Sequence, residues 1–370
     1  MSKTNLIIAV FLVVVTALAS VFMKWDDLTK TEKGIYFSEQ ATLKELAKKN
    51  NVPLKEILHH LSHDDYTYWQ LPRNKPLEQL AIDPALVKHA LEHESQDNPI
   101  FDIAKFLLWS VLLGVVVLYV LKRRNISKFR LIAMPFSVLI FGVVLADSPN
   151  PMEATVKVFK LFNKMAGEPI VVITSFVLFT LFSIWGAKLI CSWGCHLGTL
   201  QESLFNIPVF KKKYKFQVPF AISLIIRLVF FIAFILLLFG IGLDIKNFVI
   251  YHQVNYFKLF RPAHLASFAL YSLPVLVVAS FFVFRPFCQF VCPFGLWAWF
   301  LQNIAINKIR IERDKCIDCK KCEKACPTEA MKVIYENNKR KFFLPDCWSC
   351  GKCIDACPTD AIQYSILEKN

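Results

Sequence analysis

The chain has 370 residues, of which 55% are hydrophobic, and its formal net charge at pH 7 is +14. This apolar fraction exceeds that of an ordinary soluble protein of two or three domains and predicts an integral membrane protein. The Lys and Arg residues stand at the ends of apolar runs instead of forming one basic patch. Their placement favours membrane topology over nucleic-acid binding as the reason for the positive charge.

Six apolar runs are long enough, or nearly so, to cross the roughly 30 Å of bilayer hydrocarbon as helices. They lie at about 5–23, 103–121, 131–146, 170–190, 217–239 and 264–284. The first run follows Lys3 like a secretory signal peptide, but it lacks a well-placed small-x-small cleavage site and continues as "VFMKWDD". We therefore predict that residues 1–24 form an uncleaved transmembrane anchor.

The basic connectors orient these predicted spans. Lys and Arg residues concentrate at 122–130, in "KKKYK" at 211–215, and between Arg285 and Arg313. By the positive-inside rule these segments belong on the cytoplasmic face. The sequence therefore predicts a multi-pass protein of a prokaryotic cytoplasmic membrane, with both termini in the cytoplasm and residues 25–102 outside it.

Residues 25–102 contain more acidic than basic side chains, the reverse of the whole chain, and are predicted to form a separate polar module. Thr42 and Glu45 make a capping box that predicts a helix directly after them. The pattern of residues 42–61 recurs at 76–94 once two residues are removed from the turn. We predict two helical hairpins that pack on each other.

The connector at 147–167 has an amphipathic pattern. Its apolar residues alternate with Lys157, Lys160 and Lys164, and Gly167 is positioned to end a helix. This pattern predicts an amphipathic helix that lies on the outer leaflet of the membrane. A loop folded back into the core is the alternative.

The connector at 247–262 is rich in aromatic side chains, which is typical of the interface between membrane and water. It contains His252, and His264 follows shortly after it. These two residues and His196 are candidates for contact with a quinone headgroup.

Two cysteine couples with C-x3-C spacing follow the fourth and sixth apolar runs, in "CSWGCHLG" and "CQFVCPFG". Cys191 and Cys195 form the first couple, and Cys288 and Cys292 form the second. Because positions i and i+4 share one face of a helix, four thiols would converge at the membrane surface if the two spans pack together.

Three interpretations of the couples remain open. They could bind an additional metal or cluster, form a redox-active dithiol, or be structural thiols beside a quinone pocket. The alternative to all three is that the two couples have no shared role in spite of their identical spacing. Cys195 and His196 also come close to the C-x2-C-H pattern of haem c attachment, which would require the outer face.

The last fifth of the chain contains two C-x2-C-x2-C-x3-C-P runs, "CIDCKKCEKACP" and "CWSCGKCIDACP". Such runs hold [4Fe-4S] clusters in bacterial two-cluster ferredoxins, where the fourth cysteine of each run serves the other cluster. Carried over, one cluster would use Cys316, Cys319, Cys322 and Cys357, and the other Cys347, Cys350, Cys353 and Cys326. Zinc would leave the third cysteine unexplained, and disulfides would need an oxidising compartment.

The order of "LICSWGCHL", "RPFCQFVCPFGLW" and the two ferredoxin runs resembles the NapH-type membrane-bound polyferredoxins, with the NosR and CcoG proteins as more distant relatives. The resemblance covers about residues 131–364. It implies a four-helix membrane core whose cytoplasmic ferredoxin domain exchanges electrons with the quinone pool and a partner oxidoreductase. His196 stands where the family usually has proline, and the first two spans and the polar module are additions to the minimal family pattern.

We therefore expect an all-α multi-pass membrane bundle of about six spans with an N-terminal extracytoplasmic helical module and a C-terminal α+β ferredoxin-like domain. The expected domains are a transmembrane anchor at 1–24, the extracytoplasmic helical module at 25–102, the membrane core with the two couples at 103–300 and the cytoplasmic ferredoxin domain at 301–370. The expected function is electron transfer between the quinone pool and a redox partner. The expected cofactors are two [4Fe-4S] clusters and a quinone. The expected partners are membrane lipid and oxidoreductase or cytochrome subunits on the outer face, and no nucleic acid is expected. A metal-handling reductase and a redox-sensing membrane protein are the alternatives.

Overall fold

The computed structural model describes residues 36–50, 52, 54–61, 71–80, 82–96, 99–122, 126–145, 149–163, 169–207, 215–242, 248–260, 265–336 and 344–366, with isolated positions at 7, 11 and 14. The described chain is mostly helical and contains one two-stranded sheet. The predicted first span, apart from those three positions, and His264 lie outside the described residues.

Between residues 36 and 96, the described segments contain α1 (Leu43–Asn50), α2 (Leu54–Leu61) and α3 (Pro84–Gln96). At the start of α1, the Thr42 N–H donates to Glu45 Oε2 at 2.9 Å and the Glu45 N–H donates to Thr42 Oγ1 at 3.2 Å, as a capping box requires. The prediction of a second hairpin is wrong in its first arm, which is a single 3-10 turn at Leu77–Gln79. The Leu77 N–H donates to Ala41 O, which ties this turn to the start of the first hairpin.

The following bundle contains longer and shorter helices. In chain order they are α4 (Pro99–Leu118), α5 (Ile126–Val138, continued as a π-helix at Leu139–Val144), α6 (Pro151–Phe162), α7 (Pro169–Trp185), α8 (Leu189–Trp193), α9 (His196–Asn206), α10 (Phe220–Phe239), α11 (Ile250–Gln253), α12 (Ser267–Phe282), α13 (Pro286–Phe290) and α14 (Pro293–Leu301). Among the described residues, Ile103–Lys122, Ile126–Val144 and Phe220–Phe239 are helices long and apolar enough to cross a membrane. α7 and α12 are apolar but shorter, with 17 and 16 residues. Helices therefore occupy the second to sixth predicted runs, and the number of crossings stays a prediction.

α7 and α12 are both followed by a turn back into the bundle. Lys188 and Arg285 adopt the left-handed backbone conformation, with φ of 52° and 50°, and each stands directly before a five-residue helix, α8 or α13. Non-glycine residues seldom adopt this conformation, so its repetition at two equivalent positions is a specific feature of the fold. The residues that follow both turns are buried.

The placement of the 147–167 connector on the outer leaflet is wrong. The predicted helix is present as α6, but it ends at Phe162 instead of Gly167, and it packs against α7 and α14 inside the bundle. Lys160 is only 1% exposed, and the Phe159 ring contacts Phe231 of α10 with centroids 5.3 Å apart. Most of its apolar side therefore faces other helices, as in the folded-back alternative, while Phe162 at its end is exposed.

The aromatic connector is also buried and does not form an interfacial belt. Within 248–260, Tyr251 and Phe257 are almost completely inaccessible. Phe260 lies so close to α5 that a Cβ on Gly142 would be 3.0 Å from its ring. The aromatic side chains pack inward because the short helices α8, α9, α13 and α14 bring polar side chains into the bundle that need an apolar cover.

The C-terminal domain is closed by an antiparallel sheet of β1 (Asn307–Ile311) and β2 (Ile362–Ile366), in which Ile309 pairs with Tyr364. Three short helices lie between the strands, namely α15 (Lys321–Ala325), α16 (Ala330–Tyr335) and α17 (Lys352–Ala356). The sheet joins the two ends of the domain and leaves both ferredoxin motifs between them.

Two bundle helices begin at the C-terminal domain. The Ile126 and Ser127 N–H groups donate to the Asp355 carboxylate at 2.8 and 2.5 Å, and the Phe220 N–H donates to Glu329 Oε2 at 2.8 Å. A carboxylate at a helix N-terminus satisfies free N–H groups and is favoured by the helix dipole. The connectors before α5 and α10 therefore lie on the side of the ferredoxin motifs, which agrees with the orientation predicted from charge.

This arrangement makes the topology testable with reporter fusions. Fusions after Lys128, after Lys213 and at the C-terminus should all report a cytoplasmic location, and a fusion near Asn74 should report a periplasmic one. A cytoplasmic result near Asn74 would mean that the first apolar run does not span and would contradict the six-span topology.

Candidate functional site

Two cavities in the C-terminal domain are each lined by four cysteines. The larger, with about 360 Å³ of empty space including open solvent, is lined by Cys326, Cys347, Cys350 and Cys353. The smaller, with about 300 Å³ of empty space including open solvent, is lined by Cys316, Cys319, Cys322 and Cys357. Each cavity thus combines three cysteines of one motif with the last cysteine of the other, and the structure brings the eight predicted cysteines together in these crossed sets.

The two motif loops share their backbone turns. Asp318 and Lys320 in the first motif occupy the same positions as Ser349 and Gly351 in the second, and all four have positive φ, from 45° to 78°. These turns curl each loop around its cavity. Gly351 also approaches α5 so closely that a Cβ would lie 2.7 Å from Ile126 Cγ2, so a residue without a side chain allows the second loop to rest on α5.

The thiols at the larger cavity are in a desolvated environment. Burial raises the pKa of Cys347 to about 12, and burial also raises the pKa values of Cys326 and Cys353. Such thiols stay protonated unless a cationic group compensates the thiolate charge. An iron-sulfur core supplies that charge, and four cysteine thiolates are its usual ligands, so the residues at both cavities fit a [4Fe-4S] cluster.

The four remaining cysteines come together inside the helical bundle. Cys191, Cys195, Cys288 and Cys292 are each only 6–7% exposed. The Cys191 thiol is close enough to the other three thiols to interact electrostatically with each of them. The two couples, which are 97 positions apart in the sequence at their first cysteines, therefore form one four-cysteine site.

Each couple spans a break between two helices instead of lying on one helical face as predicted. Cys191 is in α8 and Cys195 is the N-cap of α9, while Cys288 is in α13 and Cys292 is the N-cap of α14. The second cysteine of each couple stands at the N-cap of the next helix, and its side chain makes no capping hydrogen bond. The backbone N–H groups of Leu197 and Gly198 lie near the Cys195 sulfur, and those of Phe294 and Gly295 lie near the Cys292 sulfur.

The four-cysteine site is buried in the bundle next to the C-terminal domain, and its depth in the membrane stays a prediction. Arg130 near the start of α5 donates to Ser192, while the Trp109 indole donates to Gly194 O at 2.9 Å and stacks on Phe141 of the same helix region. Arg130 and Phe141 are eleven residues apart along one helix, which is about 16 Å. The loop between the first couple's cysteines therefore lies between these two levels, because the short helices carry it inward.

A wider repeat surrounds the couples. Lys188 and Arg285 stand three residues before the first cysteine of each couple, and both are fully buried. Gly198 and Gly295 stand three residues after the second cysteine, and a Cβ at either would lie within 3.0 Å of the first cysteine's carbonyl oxygen. The shared pattern is a basic residue, x2, C-x3-C, x2 and glycine, a sequence signal that extends beyond the cysteines themselves.

The first buried ion triad centres on Glu202. Arg130 Nη2 and Arg285 Nη2 lie 2.8 and 2.7 Å from Glu202 Oε2, and all three side chains are almost completely buried. Arg285 also donates to the carbonyl oxygens of Cys191 and Ser192. This triad therefore joins α5, α9 and the turn before α13 around the four-cysteine site.

The second ion triad centres on Asp346, the residue directly before Cys347. Its carboxylate pairs with Lys188 and, at 2.8 Å, with Arg227 Nη2. Arg227 and Lys188 also both donate to Gly295 O. One buried carboxylate of the C-terminal domain is thus bonded to the basic residue before Cys191 and, through two cations, to the glycine after Cys292.

Further contacts place the larger cavity next to the four-cysteine site. The Trp193 indole donates to Ser349 O at 3.1 Å, and the Ser349 hydroxyl donates to Ala187 O at 2.6 Å. The Lys188 ammonium lies 4.6 Å from the centre of the Trp348 ring. The loop between Cys347 and Cys350 therefore rests on the segment that contains Cys191.

His196 is completely buried next to Cys195, and neither of its ring nitrogens has a hydrogen-bond partner. The rings of Phe257 and Phe260 pack against it with centroids 5.0 and 5.1 Å away. The Tyr251 hydroxyl, in electrostatic reach of Cys292, is also buried without a partner. His252, in contrast, is partly exposed.

None of the twelve cysteines forms a disulfide. Within the described ranges, no group of three or more His, Cys, Asp or Glu side chains is positioned to hold a single metal ion. A tetrahedral ion with Zn–S bonds of about 2.3 Å would need its sulfur atoms about 3.8 Å apart. A cluster holds its thiolates farther apart than a single ion does.

Sequence reasoning from the cysteines alone did not identify Lys188, Arg285, Glu202, Asp346 or Tyr251 as parts of the site. The basic residue at the same distance before both couples was a usable signal for the first two. The sequence signal for Glu202 and Asp346 was weaker, because it consisted only of a carboxylate within or next to a cysteine-rich segment. Nothing in the local pattern distinguished Tyr251 from the other aromatic residues of its connector.

Two family models match the chain. A 4Fe-4S dicluster domain matches residues 309–364, and a 4Fe-4S binding domain matches residues 168–217 and 265–308. The first match contains both ferredoxin motifs, and the second contains both cysteine couples.

Curated relatives are similar to part of the chain. YccM of Escherichia coli, named as an electron transport protein, is 27% identical over 172 residues, which are 41% of this chain and 44% of YccM. The regulatory protein NosR of Pseudomonas aeruginosa is 26% identical over 155 residues, which are 40% of this chain and 21% of NosR. The uncharacterized protein MJ0749 of Methanocaldococcus jannaschii is 26% identical over 165 residues, 43% of this chain and 58% of that protein.

The chain thus spans less than two thirds of the length of each of these relatives. No solved structure matches it. The two 4Fe-4S domain matches, the likeness to YccM and NosR, and the order of couples and ferredoxin motifs agree with one another. The chain therefore contains two regions that match 4Fe-4S family models, and over about two fifths of its length it is similar to YccM and NosR.

Proposed function

We propose that this protein exchanges electrons between the quinone pool and a redox partner complex, through the four-cysteine site and two [4Fe-4S] clusters. The observation that carries the proposal is the contact between the Asp346–Ser349 loop and the segment Lys188–Trp193. This contact sets cysteines of the larger cavity beside the four-cysteine site. An iron-sulfur protein with such a contact has a continuous route from the helical bundle to its ferredoxin domain.

In this proposal each cavity of the C-terminal domain holds one cluster, and the eight cysteines are its ligands in the crossed sets. A bound [4Fe-4S] cluster supplies one-electron redox chemistry, and hydrogen bonds and burial around the thiolates set its potential. At the smaller cavity, Cys319 is exposed to solvent, whereas Cys353 at the larger cavity is buried. The cluster at the larger cavity is therefore the one closer to the helical bundle. The cluster at the smaller cavity is the one that a soluble partner can reach.

Quinone contact is proposed at His196 and Tyr251, which lie beside the four-cysteine site. His196 beside Cys195 has two buried ring nitrogens without partners, and the Tyr251 hydroxyl near Cys292 is in the same state. Unpaired buried polar groups cost free energy unless they bond to something else. A quinone carbonyl or hydroxyl could accept or donate these hydrogen bonds, which makes His196 and Tyr251 better candidates than the partly exposed His252.

The proposed orientation follows the positive-inside rule, with the ferredoxin domain in the cytoplasm and residues 25–102 outside. Oxidoreductase or cytochrome subunits on the outer face and membrane lipid are the proposed surroundings. A metal-handling reductase would need thiols that a metal ion can reach. Because all four cysteines of the couples are buried inside the bundle, the geometry supports electron transfer over metal delivery.

The crossed ligation gives the two motifs opposite responses to mutation. Cys322→Ser should abolish the EPR signal of the cluster at the smaller cavity, whereas Cys326→Ser should abolish the signal of the larger cavity although Cys326 belongs to the first motif. The measurement is EPR of the dithionite-reduced protein. If both variants lost the same signal, the crossed assignment would be wrong.

The Asp346 triad should stabilise the docking of the ferredoxin domain. Asp346→Asn removes the charge that Lys188 and Arg227 share, and removing one partner of a buried ion pair costs about 3–5 kcal/mol. We expect a clearly lower midpoint of thermal unfolding for the purified protein. Asp355→Asn is the matched control, because its amide oxygen can still cap α5 and its loss should cost at most about 1 kcal/mol. Equal midpoints in the two variants would contradict the importance of the triad.

A further inference from the structure

Trp348 is a buried tryptophan that distinguishes the larger cavity from the smaller one. It is the residue after Cys347, it lines the larger cavity, and it is 2% exposed. Ile317, the residue after Cys316, occupies the same position in the first motif, lines the smaller cavity and is 63% exposed. One position of a repeated loop is therefore filled by an exposed aliphatic side chain at one cavity and by a buried indole at the other.

The indole of Trp348 also reaches the residues that precede both cysteine couples. The Lys188 ammonium and the Arg285 guanidinium carbon lie 4.6 and 5.1 Å from the centre of its ring. The Phe284 ring packs edge-on against it, with centroids 6.1 Å apart. Cations are attracted to the face of an aromatic ring, so these contacts hold the indole in place. Trp348 thus touches the larger cavity and the basic residues of both couples at once.

The indole N–H of Trp348 is buried and has no hydrogen-bond partner among the described residues. Two neighbouring indoles are paired, since Trp109 donates to Gly194 O at 2.9 Å and Trp193 donates to Ser349 O at 3.1 Å. A buried donor without an acceptor costs free energy, so an orphaned N–H in a native structure indicates an acceptor that is not part of the protein. Because Trp348 lines the larger cavity, the group that occupies this cavity is within its reach.

We propose that Trp348 is a positioning residue whose indole N–H donates a hydrogen bond to a sulfur atom of the [4Fe-4S] cluster at the larger cavity. Such a bond stabilises the reduced form, which carries one more negative charge, and therefore raises the reduction potential. Ile317 has no side-chain donor, so the equivalent position leaves the other cluster without this bond. The inference rests on the proposed function for the presence of the cluster. It deepens that function by naming the residue that makes the cluster beside the four-cysteine site easier to reduce.

The indole is not itself an electron carrier in this proposal. Removal of an electron would leave a positive charge on a ring that already has the Lys188 and Arg285 cations beside it, which the repulsion between like charges disfavours. The cluster gains one electron on reduction and returns one on oxidation. The indole proton stays on its nitrogen in both states, so no bond of Trp348 is broken.

Trp348→Phe tests the hydrogen bond, because it removes the N–H and keeps an aromatic ring for Lys188 and Arg285. The measurement is an EPR-monitored redox titration of the anaerobically purified full chain, with the two signals assigned through Cys322→Ser and Cys326→Ser. Reduction of the larger-cavity cluster should become about tenfold less favourable, which lowers its midpoint by about 59 mV for a one-electron couple. The smaller-cavity cluster should keep its midpoint.

A second measurement uses the wild type and does not depend on the folding of a variant. In protein that contains tryptophan labelled at the indole nitrogen, pulsed ENDOR of the reduced larger-cavity cluster should show a coupling to that nitrogen. The same coupling should be lost in Trp348→Phe.

Trp185→Phe is the matched control. Trp185 is 1% exposed and its indole N–H also lacks a partner among the described residues, but it does not line the larger cavity. Both midpoints should keep their wild-type values in this variant. An unchanged larger-cavity midpoint in Trp348→Phe, an equal fall in Trp185→Phe, or a wild type without the ENDOR coupling would overturn the inference and leave the proposed function standing. Absence of clusters from the wild type would overturn both.

Discussion

The arrangement of this protein depends on the buried Asp346 carboxylate. Asp346 is the residue before the first cysteine of the second motif, and its partners Lys188 and Arg227 belong to the helical bundle. Since the two cations are fully buried, they require this carboxylate, and the carboxylate equally requires them. The position of the larger cavity relative to the four-cysteine site follows from this mutual requirement.

The two cysteine couples are equivalent in structure, although His196 follows the first and Pro293 the second. Both helices α9 and α14 begin directly after the second cysteine, and both preceding basic residues have the left-handed conformation. The glycine after each couple lets the chain pass close to the first cysteine's carbonyl oxygen. The departure from proline at His196 therefore leaves the backbone geometry of the first couple intact and adds a buried imidazole.

Spacing along the chain predicted the parts of the site that depend on short-range geometry. The eight ferredoxin cysteines, the two couples and the helix at 151–162 could all be found from local patterns. The burial depth of the cysteine couples and the partners of the charged residues could not be predicted from local patterns. They depend on long-range contacts such as the one between Lys188 and Asp346, which are 158 positions apart. For the same reason the aromatic connector was expected at the interface, since its composition does not reveal that Phe257 and Phe260 cover His196.

The central claim is that electrons reach the ferredoxin clusters through the four-cysteine site. It is tested most directly by adding quinol to membranes that contain Cys195→Ser, Cys292→Ser or Thr199→Ala and following reduction of the clusters by EPR. Thr199→Ala is the matched control, because the Thr199 hydroxyl donates to the backbone oxygens of Cys195 and His196 within its own helix. The account predicts that both serine variants lose quinol-linked reduction while dithionite still reduces their ferredoxin clusters, and that the control behaves like the wild type. Quinol-linked reduction at wild-type rates in both serine variants would contradict it.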